Sequence, residues 1–167
     1  MGWFGLGKKT SKVDKLVKKL TNAYIQTHDR VRVMEQLAEM GSDEALTGLL
    51  QRFTYRTEQS IVDEDEKETA YRMLVEAGLY AQPAIERFIK SNDAVYWPLR
   101  ALKEIVGIDE TVDILMRTLD TTSTSEERVN EHRTQLVSNL RDFPHERVEA
   151  KLMELSDDAD EEVRIMA

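Results

Sequence analysis

The strongest constraint on the fold is a recurring pair of amphipathic helices joined at short corners. Apolar residues follow helical spacing along nearly the whole chain, and Gly41, Gly78 and Gly107 end successive periodic segments. Successive corners lie roughly 30–40 residues apart, which leaves room for two helices between them. This pattern predicts a stack of helical hairpins, each packed on its neighbours, rather than a globule wrapped around a pocket.

The predicted elements follow from the same spacing and from helix start and stop signals. Asp29 is the predicted N-cap of the second helix, and Ser42-Asp43 starts the third directly after Gly41. An insertion over residues 54–64 lengthens one connection. The predicted helices cover residues 11–26, 29–41, 42–53, 65–77, 82–90 and 94–106, and three more begin at Asp109, Thr124 and Pro144.

Length and composition restrict the class of protein. The chain has 167 residues, enough to bury a substantial core in one domain. We expect that domain over residues 11–167, preceded by a flexible tip at residues 1–10. The sequence contains no cysteine, which excludes disulfide bonds, cysteine-based metal sites and cysteine nucleophiles.

Charge is unevenly distributed along the chain. The net charge is −9, yet the first 20 residues hold six lysines and one aspartate, so acidic residues dominate the remainder. An acidic body disfavours a general nucleic-acid surface, because phosphate binding requires clustered lysine and arginine.

The sequence shows no membrane or export signal. No segment reaches the roughly 20 apolar residues of a membrane-spanning helix. The lysines of the N-terminal tip, residues 1–9, follow a short apolar part, which is the reverse of a signal peptide. We expect a cytoplasmic protein.

The repeated unit carries a recognisable pattern. It consists of an aspartate, a few polar residues, Val-Arg, an apolar stripe, a short corner and a second apolar stripe. The best copy is Ser156–Ala167, and the next is Asp29–Phe53. This unit resembles HEAT repeats, and most closely the short HEAT-like type found in bacterial phycobilin lyase subunits. The resemblance covers about residues 28–167, with Val95-Tyr96 and Val129-Asn130 standing where Val-Arg is expected.

The resemblance implies a right-handed α-solenoid of about four HEAT-like helical hairpins, preceded by a basic N-terminal helix. In such repeats the aspartate caps a helix and the arginine packs between units, so both have structural roles. The fold alone does not specify a function. Because solenoids generally bind partners, we expect a non-catalytic scaffold or adaptor for another protein or an acidic peptide segment. We expect no cofactor and no small-molecule substrate.

The predicted partner-binding residues fall in three places. The basic row is a set of basic side chains off the buried stripes of successive second helices, and we expect it to line a concave face. It comprises Arg52, Arg87, Lys90, Arg117 and Lys151. The insertion contributes Tyr55, Ile61 and Val62, because long connections between compact repeats often carry function. The N-terminal tip contributes Trp3, Phe4, Lys8 and Lys9.

Metal and catalytic sites are not predicted. Glu131-His132 and His145-Glu146 resemble the histidine–glutamate pairs of iron-binding deoxyhypusine hydroxylases, but that family uses four such pairs. The acidic runs at residues 63–66 and 157–162 lack the glycine and closing glutamate of a calcium loop, and are predicted to stabilise helix N-termini. The sequence has neither a Gly-x-Ser-x-Gly elbow nor a phosphate-binding glycine loop.

Two alternative functions remain open. One is an enzyme or lyase-like cofactor handler, because HEAT-like alkylpurine DNA glycosylases catalyse a reaction on this architecture, although on a basic concave face. The other is weak contact of the lysine-rich N-terminus with nucleic acid or an anionic membrane. At the other end, residues 163–167 are too short to cover the preceding predicted helix, so we expect a longer array or a docking site there.

Overall fold

The chain is all-helical over residues 11–122 and 127–167, the part that this computed structural model describes. Ten α-helices and two short 3-10 turns occupy these residues, with no strand among them. The helices are α1 Lys12–Leu20, α2 Thr27–Met40, α3 Asp43–Leu50, α4 Ser60–Ala77, α5 Gln82–Ser91, α6 Tyr96–Val106, α7 Ile108–Thr121, α8 Glu127–Leu140, α9 Glu146–Leu155 and α10 Glu161–Met166. The 3-10 turns are Gln51–Thr54 and Gly78–Tyr80. The predicted all-α class is confirmed.

The helices pack in two alternating sets. In the first set α2 contacts α4 and α4 contacts α6, and in the second α3 contacts α5 and α5 contacts α7. Neighbours in sequence also pack, such as α2 on α3 and α6 on α7, and α8 contacts α7, α9 and α10. The apolar core therefore continues from one pair to the next, through fully buried side chains that include Leu46, Leu74, Ile85, Leu102 and Leu115.

Glycine ends three helices at the predicted corners. Gly41 adopts a left-handed conformation with φ of 58°, and Gly78 and Gly107 have φ of 60° and 86°. A side chain would be strained at each of these positions. The Ser42 hydroxyl then accepts a hydrogen bond from the Ala45 N–H, so only two residues separate α2 from α3.

The first predicted helix is too long. It ends at Leu20 rather than near residue 26, and Tyr24, which helical apolar spacing would place on the buried side of the predicted helix, is 93% exposed. Arg30 stabilises the connection after Leu20, because its guanidinium donates hydrogen bonds to the carbonyls of Asn22 and Ile25. These carbonyls are satisfied by a distant side chain instead of by a continuing helix.

Several predicted helix starts are also wrong. Gln26 rather than Asp29 precedes α2, and Asp29 lies in its first turn. The start of α4 is five residues earlier than predicted, at Ser60, because carboxylates of its first two turns are buried against Arg52. Asp160 does cap α10, where its carboxylate accepts from the N–H groups of Glu162 and Val163. The predicted start at Thr124 falls outside the described residues.

Gly48 allows α1 to lie close against α3. A Cβ atom at this position would lie 2.7 Å from the Val17 Cγ2 atom and 3.5 Å from side-chain atoms of Val13 and Leu37. The first distance is far below van der Waals contact, so α1 or its side chains would have to shift.

We expect Gly48→Ala to destabilise the protein by about 1–2 kcal/mol through this overpacking. Urea denaturation measures the loss. Val17→Ala removes the obstructing methyl group, so the double variant should be more stable than the sum of the two single changes predicts. Strict additivity would show that Gly48 does not set the distance between α1 and α3.

Candidate functional site

In the basic row, Arg87, Arg117 and Lys151 are paired with acidic side chains, whereas the exposed Lys90 forms no ion pair among the described residues. Arg87 donates from Nη2 to both carboxylate oxygens of Asp43, each at 2.6 Å. Arg117 lies 3.6 Å from Glu110. The Lys151 ammonium, which is largely buried, lies 3.0 Å from Glu154 and 3.6 Å from Asp120. The row is therefore a ladder of mixed charge rather than a continuous positive surface.

Arg52, predicted in the basic row, is not on the surface. Its side chain has no exposed area and lies in a buried ion cluster. The cluster consists of Arg30, Arg52, Asp63, Glu66 and Lys67, all less than 9% exposed. It joins α2, the 3-10 turn after α3, and α4.

Hydrogen bonds connect the members of this buried ion cluster. The Glu66 Oε2 atom accepts from the Nε atoms of Arg30 at 2.8 Å and Arg52 at 2.9 Å. The Asp63 carboxylate accepts from Arg52 at 2.7 Å, from the Lys67 ammonium at 2.6 Å and from the Thr57 backbone N–H at 2.8 Å. Ion pairs at this depth are strongly coupled to folding, since loss of one partner leaves a buried charge.

The cluster changes the acid–base properties of its members. Burial alone would raise the pKa of Asp63, but hydrogen bonds from Arg52, Lys67 and Thr57 outweigh it and lower that pKa from 3.8 to about 2. Burial raises the pKa of the Tyr55 phenol above 10.0, against the opposing charges of Arg52 and Arg30. Asp63 is therefore ionised at every physiological pH.

The insertion packs back over the buried ion cluster. The Tyr55 ring lies 4.6 Å from the Arg52 guanidinium carbon, and its hydroxyl donates to the Leu20 carbonyl at 2.6 Å. Val62 is half-buried, whereas Ile61 is 77% exposed. Of the three residues predicted to contact a partner, Ile61 has the most exposed side chain, and Tyr55 has a structural contact of its own.

The remaining predicted residues are either undescribed or separated. Trp3, Phe4, Lys8 and Lys9 lie outside the described residues. His132 Nδ1 lies 3.4 Å from Asp93, while His145 accepts from the Arg147 N–H and lies 3.5 Å from Asp109. Across residues 11–122 and 127–167, no group of three or more histidine, aspartate or glutamate side chains is arranged to hold a metal ion.

Within residues 11–122 and 127–167, no helix is both long enough and apolar enough to span a bilayer.

One surface feature was missed by the sequence analysis. Tyr71 of α4 and Tyr96, Trp97 and Arg100 of α6 form an aromatic–arginine surface. The Trp97 ring centroid lies 5.5 Å from that of Tyr96 and 5.7 Å from that of Tyr71. The exposed Arg100 guanidinium carbon lies 5.2, 5.3 and 6.0 Å from the centroids of Trp97, Tyr96 and Tyr71.

Arg100 is held in place without a charged partner. Its Nη1 atom donates to the Tyr96 hydroxyl at 2.6 Å. Among the described residues, no carboxylate forms an ion pair with Arg100, in contrast to Arg72, Arg87, Arg117 and Arg147. Cation–π contacts with the three rings stabilise this position of the guanidinium by about 0.5–1 kcal/mol per contact at an exposed site. Its remaining donors face no protein acceptor recorded in the described part of the chain.

A groove of about 460 Å³ adjoins this surface. It lies between the 51–54 turn, the first turns of α4 and α6, and α8. Tyr96 and Trp97 belong both to the groove wall and to the aromatic–arginine surface. Phe53, Tyr55 and Val95 supply further apolar lining, with Lys67 of the buried ion cluster at the wall.

The sequence spacing of Tyr96, Trp97 and Arg100 indicates this surface. Tyr96 and Arg100 are four residues apart and Trp97 and Arg100 three apart, so a helix places both pairs on one side. Helical apolar spacing by itself places Trp97 in the buried stripe of the predicted helix at residues 94–106. Trp97 is half-buried and, together with the 44% exposed Tyr96, carries the arginine.

Comparison with models of protein families, with curated proteins and with solved structures produced no significant match.

Proposed function

We propose that this protein is a non-catalytic scaffold that binds another protein through the aromatic–arginine surface of α4 and α6. The observation that carries the proposal is the exposed Arg100, which lies over three aromatic rings beside a groove and forms no ion pair among the described residues. Trp, Tyr and Arg are the residues enriched at the energetic centres of protein interfaces. The chain as a whole is acidic. The exposed Arg100 guanidinium over its aromatic rings is therefore a localised positive site that a partner would recognise.

We also propose that the helices form a right-handed HEAT-like α-solenoid. The alternating contacts from α2 to α4 to α6, and from α3 to α5 to α7, support this arrangement. Ion pairs between successive second helices support it further. Asp43 of α3 pairs with Arg87 of α5, and Asp113 of α7 pairs with Arg147 of α9. A rigid stack of this kind would hold α4 and α6 side by side and keep the binding surface preformed.

The ion pairs of the basic row favour the α4–α6 surface over that row as the partner site. In the basic row, Arg87, Arg117 and Lys151 already have acidic partners, so an acidic ligand would have to displace Asp43, Glu110 or Asp120 there. Lys90 forms no ion pair among the described residues, but it has no aromatic rings around it as Arg100 does. Arg100 has no acidic partner among the described residues, so an acidic ligand would displace none of them. We therefore propose the α4–α6 surface in preference to the basic row as the partner site, with the cytoplasm as the compartment for a cysteine-free chain.

Affinity capture from the native cell tests the proposal. The bait is the full chain, compared with a Tyr96→Ala/Arg100→Ala double variant. We expect the double variant to bind its partner at least about tenfold more weakly, because both side chains lie in the proposed contact. Quantitative mass spectrometry of the captured proteins measures the difference.

Two matched baits serve as controls. Glu68→Ala/Arg72→Ala removes an exposed ion pair from the same helix α4 and should capture the partner as the wild type does. Arg87→Ala/Arg117→Ala removes the main exposed cations of the basic row. Loss of the partner from this last bait, with retention by Tyr96→Ala/Arg100→Ala, would assign binding to the basic row instead.

A further inference from the structure

We infer that the aromatic–arginine surface and its groove take a short peptide segment in which a glutamate or aspartate neighbours an apolar side chain. The inference rests on the proposed function and specifies the chemistry of the partner. The carboxylate would pair with Arg100, and the apolar side chain would enter the groove beside Tyr96 and Trp97.

Arg100 supplies the charged half of this recognition. A guanidinium carries five N–H donors, and a contact to the Tyr96 hydroxyl is the hydrogen bond observed from this one. A carboxylate is the acceptor that matches two parallel N–H groups of one guanidinium edge. Contacts with the Tyr71, Tyr96 and Trp97 rings hold the guanidinium in position before a ligand binds. The Arg100 side chain therefore loses less rotamer entropy when the ion pair forms.

The groove supplies the apolar half. Its volume of about 460 Å³ is within the range of ligand-binding clefts, roughly 300–1,000 Å³. Phe53 and Val95 are buried beneath it, and the Tyr55, Tyr96 and Trp97 rings form exposed or half-exposed lining. Because Tyr96 and Trp97 also stack on Arg100, the apolar and charged contacts are adjacent and fit neighbouring side chains of one segment.

Charges lining the groove favour an acidic segment only at the Arg100 end. Arg56 and Lys67 line the groove, and so do the carboxylates of Glu64 and Asp93. These two acids offset the two cations. Among the described residues, neither Arg56 nor Arg100 forms an ion pair, and Arg100 is the one of the two that lies over aromatic rings, so we place the acidic side chain of the ligand at Arg100.

Nuclear magnetic resonance titration of the isotope-labelled full chain tests the inference. The probe is a blocked pentapeptide, Gly-Phe-Glu-Leu-Gly, and the comparison is the same peptide with glutamine in place of glutamate. We expect the glutamate peptide to shift the signals of the Trp97 indole N–H and the Arg100 Nε–H with saturation at millimolar peptide. The glutamine peptide should bind about tenfold more weakly, since it forms no charge-assisted pair.

Variants separate the contact from general electrostatics. Arg100→Gln should abolish the preference for glutamate over glutamine, while Arg72→Gln, on an exposed side chain of α4, should leave it unchanged. Equal binding of the two peptides, shifts confined to other regions, or no saturation would overturn the inference. The proposed function fails on a different result, namely a captured partner that is insensitive to Tyr96→Ala/Arg100→Ala.

Discussion

Replacing Arg52 with alanine is expected to destabilise the protein by about 3–5 kcal/mol, a large part of the stability of a domain of this size. The guanidinium is the central cation of the buried ion cluster. Its Nε bonds Glu66, one Nη atom bonds the Tyr55 carbonyl, and the other bonds both the side chain and the carbonyl of Asp63. Removing it leaves carboxylate charge and carbonyl groups without donors inside the protein.

Arg87→Ala is the matched control for this change. Both arginines were predicted to lie in one surface row, yet Arg87 is exposed and pairs with an exposed Asp43. Exposed ion pairs contribute about 0–1 kcal/mol, so this variant should unfold close to the wild type. Urea denaturation followed by circular dichroism compares the two variants.

Arg52→Lys provides a second measurement if the alanine variant does not fold. A lysine keeps one positive charge but cannot bond Glu66, Asp63 and the Tyr55 carbonyl together, so it should fold with a reduced unfolding free energy. Similar stability for Arg52→Ala and Arg87→Ala would contradict the burial of Arg52.

Acid is expected to remove about 2 kcal/mol of folding free energy through Asp63 alone. Its pKa in the folded chain is about 2, below the ordinary value of 3.8. A depressed carboxylate pKa means that the folded state binds the proton less readily than the unfolded state. This contribution is therefore complete above a pH of about 4 and is lost as the pH falls through about 2, at roughly 1.4 kcal/mol per pKa unit.

The Asp63→Asn variant isolates this contribution. An amide cannot ionise, so the difference in unfolding free energy between wild type and variant should be largest above pH 4 and should shrink towards pH 2. Hydrogen bonds also lower the pKa of Asp113 and Asp158, through Arg147 and Arg133, and both effects cancel in the comparison. Parallel stability curves for the two proteins would show that Asp63 is not coupled to the cluster.

Local chemistry explains why the helices and corners were predictable from the sequence. Gly41, Gly78 and Gly107 end helices because the backbone has a positive φ at each of them. Glycine permits this conformation whatever its neighbours are, because it has no Cβ atom. Ser42 and Asp160 cap helices by contacts within three residues. Such signals depend on near neighbours alone, so their outcome can be inferred without a tertiary structure.

The ends of α1 and α4 were set by distant contacts. Leu20 is followed by a loop whose carbonyls bond Arg30, and the start of α4 carries the buried Asp63 and Glu66. The sequence pattern predicted only that the acidic run at residues 63–66 stabilises a helix N-terminus, and it did not predict the burial of Asp63 and Glu66. Glu66 bonds Arg52 and Arg30, which lie 14 and 36 residues away, and Asp63 bonds Arg52, 11 residues away. No local sequence pattern connects these arginines with the two acids.

The candidate site differs from its prediction for the same reason. Helical spacing identified Arg87 and Arg117 as exposed, but only packing of successive helices brought Asp43 to Arg87 and changed a row of cations into ion pairs. Tyr71 and Arg100 were likewise on separate predicted helices, and the contact of α4 with α6 joined them. The sequence alone determined the all-helical class, the positions of the corners and the absence of cysteine chemistry, since these depend on residue type and spacing. Tertiary packing decided which charges are buried and which cations pair with acidic side chains, because burial and pairing depend on residues far apart in the chain.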